Sequence, residues 1–217
     1  MTDVKTWLRR KLPLLFDREN IIETLEIPIF PLNTVLFPAG RLPLRVFEQR
    51  YMDMAKTCLR DDQPFGVCLI KEGQEVGAPA LPEQVGCLAK VTHWDMPQLG
   101  ILSLDALGMR RFSIEEQRIQ ENGLIIAKVV TVSLEAAQPV PDTLSACAQV
   151  LRGIIAKVGE THFQAPLQFD DAVWVGYRLV EVLPLKSIVK QKMLEMNDPI
   201  ARLQILQTFL VKQGLTA

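Results

Sequence analysis

Histidine is nearly missing from these 217 residues, with only His93 and His162, and the four cysteines (Cys58, Cys68, Cys87, Cys147) include no Cys-x-x-Cys pair. A zinc site assembled from those six residues would have to gather ligands from remote parts of the chain. Scattered thiols in a chain of this length read as the buried, reduced side chains of a cytoplasmic protein, not as a disulfide framework. No metal or other cofactor is expected. An excess of one charge is also missing, since 24 Lys and Arg face 25 Asp and Glu. That balance leaves no phosphate-tracking surface, so nucleic acid is not an expected partner. No apolar run approaches the ~18 residues that a membrane span needs. The first residues lack the long apolar centre and small-residue cleavage site of a signal peptide. The remaining composition, 48% apolar and 23% charged, is that of a soluble globular protein with one large domain or two modest ones.

The familiar catalytic spacings are equally scarce. There is no Gly-x-x-x-x-Gly-Lys-[Ser/Thr] to cradle phosphates, no Gly-x-Ser-x-Gly elbow and no His-Glu-x-x-His. Ser187-Ile-Val-Lys190 does match Ser-x-x-Lys, in which a lysine one helical turn away activates a serine. Its companion elements Ser-Asp-Asn and Lys-Thr-Gly are missing, and Ser187 follows Pro184 where a helix would begin. It reads more simply as a helix-start serine followed by a solvated lysine. Cys58 is a second candidate nucleophile and would need His162 brought to it by folding. His93 reads as a structural polar side chain on a strand. No catalytic residue is assigned, and a small hydrolase whose site assembles only in the fold stays as the alternative reading.

What the chain has in quantity is proline among apolar residues. Ile27 to Tyr51 carries Pro28, Pro31, Pro38 and Pro43, and then runs into a helical pattern. Proline fixes φ and removes a donor, so this segment should form short extended pieces joined by tight turns. Phe30, Leu32, Leu36 and Phe37 should supply core. Before it, residues 1–24 suggest a short amphipathic helix around Trp7, Leu8, Leu12, Leu15 and Phe16.

Residues 25–137 read as mainly β. Candidate strands are Phe65–Ile70, Val85–Asp95, Gly100–Leu104, a stretch around Phe112 and Ile114, and Leu124–Val132. Met96-Pro97-Gln98 suggests one turn and Glu121-Asn122-Gly123 a hairpin. One helix, with Phe47, Tyr51, Met54, Ala55, Cys58 and Leu59 on its apolar face, interrupts the strands. Ala, Gln and prolines between Leu134 and Asp142 mark a linker. Residues 138–217 then read as helices capped by Asp142, Asp170 and Asp198, with a third of four running from about Ser187 to Met196. The fold class expected is α+β: a small six-stranded barrel-like domain with one helix, followed by a bundle of about four helices.

The words Phe-Pro-Leu-Asn-Thr-Val-Leu-Phe-Pro and Leu-Pro-Leu-Arg-Val-Phe-Glu-Gln-Arg-Tyr closely resemble the start of the Lon N-terminal domain. Phe65–Lys71, Val85–Lys90, Leu107–Phe112, Asn122–Ala127 and the helical words after Trp174 extend the likeness over about residues 25 to 212. The resemblance is to a stand-alone bacterial form without ATPase and protease domains. It implies a six-stranded barrel-like domain, a helical bundle, and recognition of unfolded or tagged polypeptide segments without catalysis. Phe30, Leu36, Phe37 and Phe47 are expected in the core. Arg45, Glu48, Arg50 and Tyr51 are the candidates for partner contact, although the charged three could simply pair or cover the barrel, and Tyr51 could be half-buried. A small-ligand site between barrel and bundle is a further alternative. The oligomeric state is left open.

Overall fold

The computed structural model describes residues 22–216. The amphipathic helix expected around Trp7 to Phe16 lies outside the described residues. Among the described residues there are seven strands: β1 (Thr24–Leu32), β2 (Arg41–Val46), β3 (Phe65–Glu72), β4 (Leu81–Pro82), β5 (Val85–Gln98), β6 (Ile101–Ile119) and β7 (Ile125–Thr131). Five of them close a ring in the order β1-β7-β6-β5-β3, and β3 returns to β1 as a parallel pair from Ile29↔Gly66 to Leu32↔Leu69. Closure removes the edges that an open sheet would expose. β2 and β4 stay outside the ring, β2 pairing only with β6 and β4 only with β3.

Two expectations about the strands need correction. The separate strands read around Gly100–Leu104 and Phe112–Ile114 are one 19-residue strand, β6. Register shifts opposite β5 bend the pair, so one strand serves both β2 and β7. The turn also moves from Met96-Pro97-Gln98 to Leu99-Gly100, where Gly100 adopts φ +83°. Pro97 is tolerated inside β5 because it falls where the register with β6 slips, between Asp95 and Gln98. The β6–β7 hairpin turns where expected, with Gly123 at φ +83°.

Helix α1 (Gln49–Asp61) plugs one end of the barrel, packing Tyr51, Met52, Met54, Ala55 and Cys58 against Phe30, Phe65 and Leu104. It begins two residues later than the periodicity suggests. Phe47 therefore continues the alternation of β2, and with Val46 buried it faces outward, 57% exposed. Its expected place in the core is wrong. At the other end Phe112 fills the space left by Gly66 and Gly86, where a Cβ would come within 2.7 Å and 2.6 Å of its ring.

The bundle contains α2 (Ser145–Val158), α3 (Ala172–Val182), α4 (Ser187–Glu195) and α5 (Pro199–Lys212). Asp198 caps α5, accepting from the amides of Ile200 and Ala201 at 2.9 and 3.0 Å. The cap of α3 is Asp171, one residue beyond the expected Asp170, and it accepts from Val173 N. Asp142 heads a short 3₁₀ turn before α2. No helix among the described residues is long and apolar enough to cross a membrane.

The proline-rich segment stitches the two parts together. Phe30 and Leu36 join the barrel core, whereas Val35 and Phe37 enter the bundle core. The ring of Phe37 lies 5.4 Å from that of Tyr177 on α3. Below this contact sits a buried charge cluster. Glu135, in the connecting segment, pairs with Arg111 of β6 at 3.2 Å and with Arg202 of α5 at 2.9 Å, and Tyr177 donates its hydroxyl to it. The two guanidinium groups also donate to the carbonyls of Met193, Leu194 and Met196.

Candidate functional site

The four residues singled out for partner contact separate into two groups. Arg50 and Tyr51 are buried, at 6% and 4% exposure. Tyr51 stacks on Phe30 with ring centroids 4.1 Å apart, and burial raises its hydroxyl above the usual tyrosine range. Arg50 lies over the Tyr51 ring, pairs with Glu48 at 3.0 Å and donates to the carbonyl of Gly123 at 3.1 Å. These two side chains hold α1 to the barrel. Arg45 and Glu48 reach the surface, beside the outward Phe47.

A groove of about 220 Å³ runs along β2 at this point. It is lined by Phe30, Leu32 and Thr34, by Leu42 to Glu48 with Tyr51, and by Glu75 and Val76. Val76 is 54% exposed, so with Phe47 it adds a second outward apolar side chain. Reading the residues alone missed Val76 and Glu75; the one available signal was an apolar residue isolated in the polar, glycine-bearing stretch after β3.

The backbone of β2 gives the groove its chemistry. Pro43 has no amide proton, so it cannot exchange paired hydrogen bonds with its register partner Asp105. The Asp105 carbonyl instead accepts from Thr92 of β5, and Gly108 N donates to the Gly40 carbonyl. Gly40 thus turns its carbonyl to β6, while its amide donates to the Phe37 carbonyl, and the even residues Leu42, Leu44 and Val46 that follow direct their backbone groups at β6. Arg41, Pro43 and Arg45 direct theirs away from it. Among the described residues no strand or side chain takes up these outward backbone groups. The Arg45 guanidinium likewise has no acidic partner among them.

The other candidates are not assembled for catalysis. Ser187 donates its hydroxyl to the Asn33 carbonyl at 3.1 Å, and Lys190 sends its ammonium to the Glu181 carbonyl at 2.8 Å. Neither engages the other. Burial pushes the Cys58 thiol up to about 11, and Cys147 to about 11, far from a thiolate at neutral pH. All four cysteines are buried. His93 is exposed on β5. No group of three His, Cys, Asp or Glu among the described residues is placed to hold a metal ion.

His162 does line a cavity, one of about 300 Å³ between barrel and bundle, with Thr34, Arg41, Glu181 and Lys190. Three of its polar side chains, Arg41, Glu181 and Lys190, are engaged already. Arg41 donates to the Thr161 carbonyl, and Glu181 is held by Arg178, which also donates to the carbonyls of Pro38 and Ala39. Burial nevertheless raises Glu181 to about 7, against the pull of Arg178 and Lys190.

Comparison with known proteins agrees with this architecture. The family model described as the ATP-dependent protease La (LON) substrate-binding domain matches residues 26–212. A Lon N-terminal domain protein from Xanthomonas campestris superposes with a TM-score of 0.72 at 32% identity, covering 85% of this chain and 98% of that one. The N-terminal domain of Mycobacterium avium complex Lon protease, at 14% identity and a TM-score of 0.56, shares the fold over 84% of this chain and 96% of its own. The Lon protease of Cytophaga hutchinsonii is 26% identical over 186 residues, which are 81% of this chain and 23% of that protease. The Lon protease of Anaeromyxobacter dehalogenans is 35% identical over 123 residues, 55% of this chain and 14% of that protein. The chain thus spans about a quarter or less of the length of these proteases. With that family model matched over residues 26–212 and the fold of the described residues in agreement, the chain belongs to the Lon substrate-binding domain family.

Proposed function

We propose that this chain is a cytoplasmic, non-enzymatic recognition module for unfolded or tagged polypeptide segments, and that the groove along β2 receives them. The observation that carries this reading is the pairing of an unpaired strand edge with two outward apolar side chains, Phe47 and Val76, in one groove. Exposed apolar surface of this kind serves association, not folding. The family's description as a substrate-binding domain supports the same reading. Ser187, Lys190 and Cys58 supply no activated nucleophile to support the hydrolase alternative.

Fluorescence anisotropy with a reduced, carboxymethylated model protein tests it. The chain should bind the unfolded form and ignore the native form, and the double variant Phe47→Ala, Val76→Ala should bind at least about tenfold more weakly, the loss of two buried apolar contacts. Equal binding by wild type and variant would remove the groove from the reading. No binding at all would remove the reading itself. Labelling of Ser187 or Cys58 by serine- or cysteine-directed activity probes would overturn its non-enzymatic part.

A further inference from the structure

We infer that the bound segment joins the domain as an added strand on the free edge of β2, with an acidic side chain set opposite Arg45. The inference rests on the polypeptide-recognition reading and specifies how the groove achieves it. Three observations lead to it. The outward backbone groups of Arg41, Pro43 and Arg45 form a row at strand spacing, and only an extended chain presents complementary donors and acceptors at that repeat. The row is uneven, because the carbonyls of Arg41, Pro43 and Arg45 all face outward while amide protons come only from Arg41 and Arg45. The third is the side-chain pattern. Arg41, Pro43 and Arg45 share the exposed face of β2, with Phe47 following in the same alternation.

Residues of an added strand lie directly opposite those of β2 on that face. A segment in register therefore places a carboxylate against the free Arg45 guanidinium and apolar side chains two residues to either side, against Pro43 and Phe47. The recognised chemistry is an extended apolar-x-acidic-x-apolar stretch. Strand addition also explains why Pro43 is tolerated: its ring faces the free edge, where one missing donor leaves the two flanking amides to fix the incoming strand. A lone proline on an edge further discourages indiscriminate pairing with whole sheets.

The probe is a fluorescent peptide, Ser-Val-Thr-Glu-Thr-Val-Ser, titrated by anisotropy against the whole chain. Arg45→Ala, which keeps the amide and removes the charge, should weaken binding about two- to threefold, the scale of an exposed ion pair. Arg45→Pro, which also removes the outward amide but no bond to β6, should weaken it by roughly tenfold or more relative to Arg45→Ala. Circular dichroism and the melting midpoint report whether Arg45→Pro folds. N-methylation of successive peptide residues tests the same point with the unaltered protein. It should abolish binding at alternate positions and leave the intervening ones within about twofold, since only every second amide of an added strand faces its partner.

Uniform tolerance of N-methylation, or equal affinity of folded Arg45→Pro and Arg45→Ala, would overturn strand addition. So would failure to bind this peptide by a chain that still binds unfolded protein, which would leave polypeptide recognition standing. Failure to bind any unfolded polypeptide would instead overturn both.

Discussion

The junction between barrel and bundle and the groove beside β2 both draw on one proline-rich segment, the junction on its middle and the groove on its two ends, and they treat polar groups in opposite ways. At the junction, Arg111, Arg178 and Arg202 are buried, and their guanidinium groups are aimed at carboxylates and backbone carbonyls. At the groove, a row of backbone groups, one guanidinium and two apolar side chains are left open. Buried charges hold only when they are paired, and leaving one unpaired is strongly destabilising. Open edge groups cost little in water and are available to a partner. The first region is built to hold two parts in one arrangement; the second is built to be completed from outside.

Substitutions at the junction should break this contrast most severely. Glu135→Ala strands two buried arginines at once and should lower unfolding free energy by about 3–5 kcal/mol, measured by urea denaturation. Gly108→Ala places a Cβ 2.1 Å from the backbone oxygen of Phe37, which has no freedom to rotate away. A loss of about 2–3 kcal/mol is expected in the same assay, the scale of an overpacked core.

Glu181 sharpens the comparison through pH. Its folded-state pKa of about 7 lies above the ordinary 4.5. Its contribution to stability is therefore fully present below about pH 4.5 and is lost as pH rises through 7. Glu181→Gln should flatten the stability profile across that window by about 3 kcal/mol, read from denaturation midpoints at a series of pH values. The smallest effect on folding belongs to the groove. Phe47→Ala should change stability by no more than about 0.5 kcal/mol, because an exposed side chain contributes little to the folded state, and its effect should appear in polypeptide binding instead.

Much of the architecture was legible in the residues because it rests on local signals. Alternation in Ile125 to Thr131, the Asn122-Gly123 turn, the Asp198-Pro199 helix start and the apolar run of α3 each identify their element without knowledge of the rest. The fused strand β6 was not legible, since a bend produced by slipped register looks like a gap between two strands. Phe47 was misplaced for a related reason: strand and helix periodicities overlap at an element boundary, and one residue decides between core and surface. Glu135 gave no signal at all. It sits in a stretch with the composition of a linker, and its partners come from β6, α3 and α5. Of the four expected contact residues, Arg50 serves packing, Tyr51 packs on Phe30 and also lines the groove, and Arg45 with Glu48 borders it. The open edge that gives the groove its chemistry depends on pairing parity, which becomes visible only once the register of β2 against β6 is known.

Residue-resolved amide exchange along β2 tests that open edge most directly. In the free protein the Leu44 and Val46 amides, which face β6, should be protected while the Arg45 amide exchanges at close to the rate of an unpaired group. Saturation with unfolded polypeptide should slow Arg45 by at least about tenfold and leave Leu44 and Val46 as they were. An Arg45 amide already protected in the free protein, or one unchanged at saturation, would contradict the account.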